Sequence, residues 1–205
     1  MTAILKVDTI QDTSGNNIIN ESSDTITIGA SGDTVAIPSG GKLTAPGHVI
    51  QAICTTKTDT YSESISSRAT GSAITGLTAT ITPTSASSKL LVFAVLQSSR
   101  SGLAYGNFIL HRDGSAVLVG DSAGSRLPVT VGDNLGPSNT IMQQNSSSFG
   151  QVTAGSTNAT TFDIRLENSG SGSSQTFYVN RSSTDTDNNT FTRSISSIMV
   201  MEVAT

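Results

Sequence analysis

Tryptophan is absent from this 205-residue chain, cysteine occurs once, histidine twice and proline five times. Each scarcity excludes something. The lone thiol, Cys54, forms no intrachain disulfide, so no disulfide framework holds the fold and the redox compartment is left open. His48 and His111 stand far apart and, with one cysteine, make no zinc set. Charged residues are only 13% of the chain and the balance is mildly acidic, −4. Without clustered Lys and Arg there is no nucleic-acid groove to expect. No apolar run approaches the length needed to cross a bilayer, so membrane insertion is not expected. The opening MTAILKVDTIQDT lacks the basic start and long apolar run of a secretory signal, which implies synthesis in a cytoplasm without Sec-type export. No stretch carries the spacing of an amphipathic helix.

What is abundant is Ser and Thr, together roughly three in ten residues, with Gly also high against ordinary usage. Sparse charge with many Thr, Ile and Val favours strands. The segment 22–46, SSDTITIGASGDTVAIPSGGKLTAP, alternates with period two. Thr25, Thr27, Thr34 and Ala36 fall on one side and Ile26, Ile28, Val35 and Ile37 on the other, the pattern of a strand with one buried face. Turn residues close each span, first around Gly29 to Asp33 and then around Pro38 to Gly41. The unit recurs after nine residues, Ile26 onto Val35 and Ile28 onto Ile37, and Leu43 starts a third. One rung offers only two or three apolar side chains, too few to make a core from one copy. Sharing the core among copies solves this. The expectation is a homotrimeric β shaft whose core is Ile26, Ile28, Val35, Ile37 and Leu43.

Composition shifts after Ala45-Pro46-Gly47, where strands become longer and more apolar. The predicted division is an N-terminal segment 1–21, a shaft 22–46 and a head 47–205. In the head, residues 90–96 are apolar without alternation, as in a central strand covered on both faces. Asp113-Gly114 between two apolar runs predicts a hairpin. Residues 161–167 and 175–181 alternate and read as a second hairpin across a Gly/Ser connection. Residues 57–72 read as a polar loop. Phe93, Phe108, Phe162 and Phe177 are predicted inward. The fold class is all-β: the short shaft, then an antiparallel, jelly-roll-like β-sandwich.

Chemistry-bearing patterns are thin. Gly120-Asp-Ser-Ala-Gly124 matches a nucleophile elbow, but that motif needs a following helix and a later histidine, and both histidines precede Ser122. Asp163 and Glu167 share a strand face about 13 Å apart, beyond the roughly 5–9.5 Å of glycosidase carboxylates. No catalytic residue is assigned, and no cofactor. Asp185 and Asp187, about 6–7 Å apart if extended, are the only carboxylates placed to share a hard cation. The rest of a Ca²⁺ loop is missing, so no metal site is assigned. An exposed tyrosine pairs an apolar face with a polar tip and suits a sugar ring. Tyr61 and Tyr105 are candidates for that, with Tyr178 less clearly placed.

The opening VDTIQDTSGNNIINESSDTITIGASGDTVAIPSG resembles the N-terminal part of tail-fibre and virion structural proteins of marine bacteriophages, including phages of cyanobacteria. The closing GSGSSQTFYVNRSSTDTDNNTFTRSISSIMVMEVA resembles the end of the same proteins, while residues 98–160 match less. The resemblance implies a non-enzymatic, homotrimeric fibre in the virion. Its N-terminal segment would join another virion protein of tail or capsid, and its head would face a host-surface glycan or protein. Tyr61, Tyr105, Asp185, Asp187 and Asn188, in polar loops, are the candidate receptor contacts. The alternative is a purely structural capsid-decoration or tail-joint protein without receptor binding.

Overall fold

The computed structural model describes residues 9–11, 13–15, 17–22, 25–29, 31–37, 45–102, 106–133, 143–170 and 172–205. The chain divides into two units, Met1–Thr44 and Ala45–Thr205. Among the described residues every regular element is a strand, with antiparallel pairing throughout.

The first unit holds β1 (Thr9–Gln11), β2 (Asn17–Ser22) and β3 (Thr25–Ile28), a meander in that order. β2 pairs with both neighbours, so the meander runs across residue 21 without a break. The next expected rung does not form a strand: residues 33–37 have no ladder partner. Alternation equips a segment for pairing, but an edge strand must offer itself, and none takes up Val35 and Ile37 here. Ile26, Ile28, Val35 and Ile37 are 68%, 58%, 58% and 50% exposed. Leu43 lies outside the described residues.

The second unit holds β4 (Val49–Lys57), β5 (Tyr61–Ile65), β6 (Ala69–Thr70), β7 (Thr78–Ile81), β8 (Lys89–Arg100), β9 (Gly106–Arg112), β10 (Ser115–Val117), β11 (Val131–Asp133), β12 (Gln144–Thr153), β13 (Thr160–Asn168), β14 (Gln175–Val179) and β15 (Ser196–Val203). They form an antiparallel β-sandwich. One sheet runs β4-β15-β8-β14-β5, with β12 on the other edge of β8; the second runs β10-β9-β13-β6, with β11 also on β9 and β7 also on β13. A long strand whose edge is shared end to end by two shorter ones recurs in both sheets. β8 meets β15 along Lys89 to Val95 and β14 along Ser98 to Arg100. β13 meets β7 and then β6.

The core lies between the sheets. Leu90, Val92, Ala94 and Leu96 of β8, Phe177 and Val179 of β14, and Ile198 and Val200 of β15 meet Phe108 and Leu110 of β9 and Phe162, Ile164 and Leu166 of β13. Ile74, Leu77, Ala79 and Ile81 fill the side along β7. The β9–β10 hairpin forms as the Asp-Gly pair requires, with φ of 50° at Asp113 and 83° at Gly114, both in the left-handed region of a two-residue hairpin turn.

Four readings of the sequence are corrected. β13 and β14 are not a hairpin: β13 lies in the second sheet and β14 in the first, so their connection crosses between sheets. Both strands carry correct inward sets, but alternation says nothing about which strand is the partner. Residues 57–72 contain β5 and β6. β5 was masked by Glu63 at an inward position, where it accepts hydrogen bonds from the Tyr61 hydroxyl at 2.9 Å and the Ser72 amide at 3.0 Å. Phe93 points away from the core and stacks on Phe149, with ring centroids 4.3 Å apart. For the same reason β8 is central but not covered on both faces, its outward row being only partly buried.

A loop clasped into the middle of a sheet

Where the edge of β8 passes from β15 to β14, a gap opens in the ladder, and Asn180 fills it. Asn180 is 1% exposed and has φ of 61°, which an Asn tolerates better than most residues. Its amide donates to Gln97 O at 2.9 Å, its Nδ2 donates to Lys57 O and Asp59 O, each at 2.9 Å, and its Oδ1 accepts from Ser196 Oγ at 2.7 Å. Ser196 Oγ in turn accepts from the Gln97 amide at 3.0 Å. A buried polar group without a partner costs about 1–3 kcal/mol, so this saturated node replaces the missing ladder bonds.

From this node the chain leaves as residues 181–195 and returns. Arg181 and Arg193 form an isolated antiparallel bridge at the neck. Their guanidinium groups converge on Asp185, Arg193 Nη2 at 2.7 Å from Oδ1 and Arg181 Nη1 at 3.5 Å from Oδ2. Arg181 also lies 4.1 Å over the Tyr178 ring, a cation–π contact that fixes its fork. Asn188 Oδ1 accepts from the Thr190 amide and hydroxyl at 2.9 and 2.8 Å, an Asx turn at the tip. Gln143 supports the return limb by donating to Thr192 O at 2.8 Å and accepting from Ser194 Oγ.

Asp185, Thr186, Asp187, Asn188, Phe191 and Arg193 line an open depression of about 370 Å³. Its chemistry is mixed: carboxylate and amide acceptors, one guanidinium more than half exposed, and one half-buried aromatic ring. Asp187 is exposed and lines the depression. Two guanidinium groups hold the oxygens of Asp185, and a cation would have to displace them. Among the described residues no group of three or more His, Cys, Asp or Glu gathers to hold a metal. The set suits a neutral, hydroxyl-rich ligand that stacks an apolar face and exchanges hydrogen bonds at its edge.

No protein-family model matches the sequence, and no curated protein matches it. Among solved structures, the chain aligns with a chain from a structure of the infectious bursal disease virus Gt strain. The alignment has 16% identity and a TM-score of 0.40 and covers 98% of the present chain. It spans 47% of that other chain, about half its length.

The remaining predicted contacts fall elsewhere. Tyr61 packs against the core with its hydroxyl on Glu63; burial and that neighbouring carboxylate push the phenol up to about 12. Tyr105 lies outside the described residues. Of the five candidates, Asp185, Asp187 and Asn188 come together in the depression. Phe191 and Arg193 join them without having been singled out, although Arg181 and Arg193 bracketing an Asp-rich loop was the available signal. Asp163 and Glu167 are both buried, the first bound to Arg165 at 2.8 Å and the second to Asn107 at 2.6 Å. Ser122 is exposed, and no helix follows it among the described residues.

Proposed function

We propose that the chain is a non-enzymatic bacteriophage virion fibre protein, a homotrimer joined to the particle through its N-terminal segment. Its sandwich unit adsorbs to the host surface, with the 181–195 loop as the contact and a cell-surface glycan as the ligand class. The observation that carries the reading is the contrast in burial. The sandwich closes its own core in one copy, while Ile26, Ile28, Val35 and Ile37 of the first unit stand half or more exposed. Four large aliphatics left in water call for a shared interior, and three copies would supply one. The sequence resemblance to marine phage fibres at both ends supports the virion setting. Three loops on one trimer suit adhesion, because each weak contact raises the effective concentration of the next.

Fluorescently labelled full-length chain, applied to intact marine cyanobacterial cells, tests the reading. Saturable binding that competes with phage adsorption, from a species with the mass of three chains, is expected. A trimer that labels no host cell yet incorporates into particles would turn the assignment to the purely structural alternative. A monomer at every concentration would remove the fibre.

A further inference from the structure

The two sheets of the sandwich differ on their outer faces. On the second sheet several outward residues along β9 and β13 are buried: Ile109 at 4%, Asp163 at 6% and Glu167 at 3%. On the first they are not. Register places Met201 beside Leu91, Met199 between Cys54 and Phe93, and Phe149 beside Phe93. Val95 extends the row and is 38% exposed, while Phe149 is 63% exposed despite its stack on Phe93. With strands about 4.8 Å apart and side-chain rows about 6.8 Å apart, the apolar side chains of this patch make a centre of about 260 Å². Around it lie uncharged polar side chains, Gln151, Ser147, Gln97 and Asn145 among them. With that rim the face reaches roughly 500 Å², more than half of the about 800 Å² that each partner gives to a standard interface. An apolar centre with a stacked aromatic pair inside a polar rim is the anatomy of a protein–protein contact.

We infer that the outer face of the β4-β15-β8-β12 sheet is the surface through which copies of this chain meet. Charge selects the occupant. No carboxylate or guanidinium stands in the register of the centre or the rim; the nearest charges are the Lys89 ammonium in one end row, bound to Thr153 at 2.9 Å, and the Arg181 guanidinium over Tyr178, one row beyond Gln97, paired with Asp185. An acidic or basic partner therefore finds nothing to pair with. Two copies, each of formal charge −4, meet most cheaply through a face that carries none of it. The inference rests on the homo-oligomer proposed above and adds which surface of the sandwich takes part.

Cys54, the sole cysteine and exposed in the single chain, reports on this face directly. The full chain is sized by sedimentation across a wide concentration range, and Cys54 alkylation by iodoacetamide is timed at each point, with the urea-unfolded chain as reference. The expected result is alkylation at least tenfold slower in the associated species than on dilution. Phe149→Glu, at a position exposed enough not to disturb the core, is expected to weaken association at least tenfold while its circular dichroism matches the parent. A trimer whose Cys54 reacts as fast as the unfolded chain, and which Phe149→Glu leaves intact, overturns the face but keeps the trimer. A dimer with protected Cys54 supports the face and removes the trimer. A monomer at all concentrations removes both. The alkylation arm uses the unmutated protein and stands even if the variant misfolds.

Discussion

Ile26 and Ile198 sit in the same kind of sequence, an alternating strand rich in β-branched residues, yet one is 68% exposed and the other 0%. The difference lies in what stands opposite. Ile198 belongs to a sheet with a second sheet packed on it; Ile26 belongs to a three-stranded meander with no second layer among the described residues of its unit. Alternation creates a face, and only another layer buries it. In the sandwich that layer comes from the same chain. In the first unit the sister copies proposed above would supply it.

The sharpest way to break this comparison is to truncate one residue on each side. Phe162→Ala, at a position 0% exposed, is expected to cost about 3–5 kcal/mol in urea unfolding. Ile26→Ala is expected to leave the unfolding of the sandwich within about 0.5 kcal/mol and to show instead in the mass of the assembly. A large loss of sandwich stability from Ile26→Ala would mean that the two units share a core. Next comes Asn180→Ala, which strips a buried node of its side-chain bonds to Lys57, Asp59 and Ser196 and is expected to cost about 2–4 kcal/mol.

Two buried glutamates sharpen the comparison further, because they respond to pH in opposite directions. Burial pushes the Glu202 carboxyl up, but donors from Gln51, Ser88 and Thr84 outweigh it and hold the group below its usual 4.5. Its stabilising effect is therefore present above pH 4.5 and lost as pH falls through the lowered value. Burial pushes Glu167 up, with Asn107 only partly offsetting it. Ionising Glu167 therefore opposes folding, and stability is lost as pH rises from 4.5 through the raised value. Urea midpoints between pH 3 and pH 7 are expected to lose part of their acid-side fall in Glu202→Gln, while Glu167→Gln gains relative to the parent toward neutral pH. The smallest effect is at the loop: Asp185→Ala breaks an exposed pair with Arg193 and a long, partly buried one with Arg181 at 3.5 Å, and is expected to change stability by about 1 kcal/mol or less. Its expected readout is reduced labelling of host cells.

Much of the sandwich is legible in the sequence. The inward sets of β13 and β14, the Asp-Gly turn and the centrality of β8 follow from local periodicity and turn chemistry, and the structure has each of them. Partner choice is not local. Nothing in residues 160–181 says that β13 leaves for the opposite sheet, because the crossing is fixed by β5, β8 and β9, which are remote in sequence. Ten-residue β12 hides behind Ser146 to Ser148, whose small polar side chains carry no hydrophobic beat although Ser146 is 4% exposed. Phe93 misleads because residues 90–96 are apolar at every position, and a two-sided run cannot reveal which side faces water. At the candidate site, the acidic tip of the loop was readable as polar turn chemistry. The arginines at 181 and 193 bracket that tip in the sequence, but that both reach Asp185 arises only when the two are bridged at the neck.

The junction on β8 bears on how this molecule can change over time. Because β14 and β15 end on the same strand edge with Asn180 and Ser196 sealing the seam, the intervening loop starts and finishes at fixed points of a rigid frame. Its tip can be rewritten, or lengthened by several residues, with no ladder losing register and no core contact moving. The contact surface proposed above, hung in this way, would be free to track a drifting target while the frame beneath it stays the same.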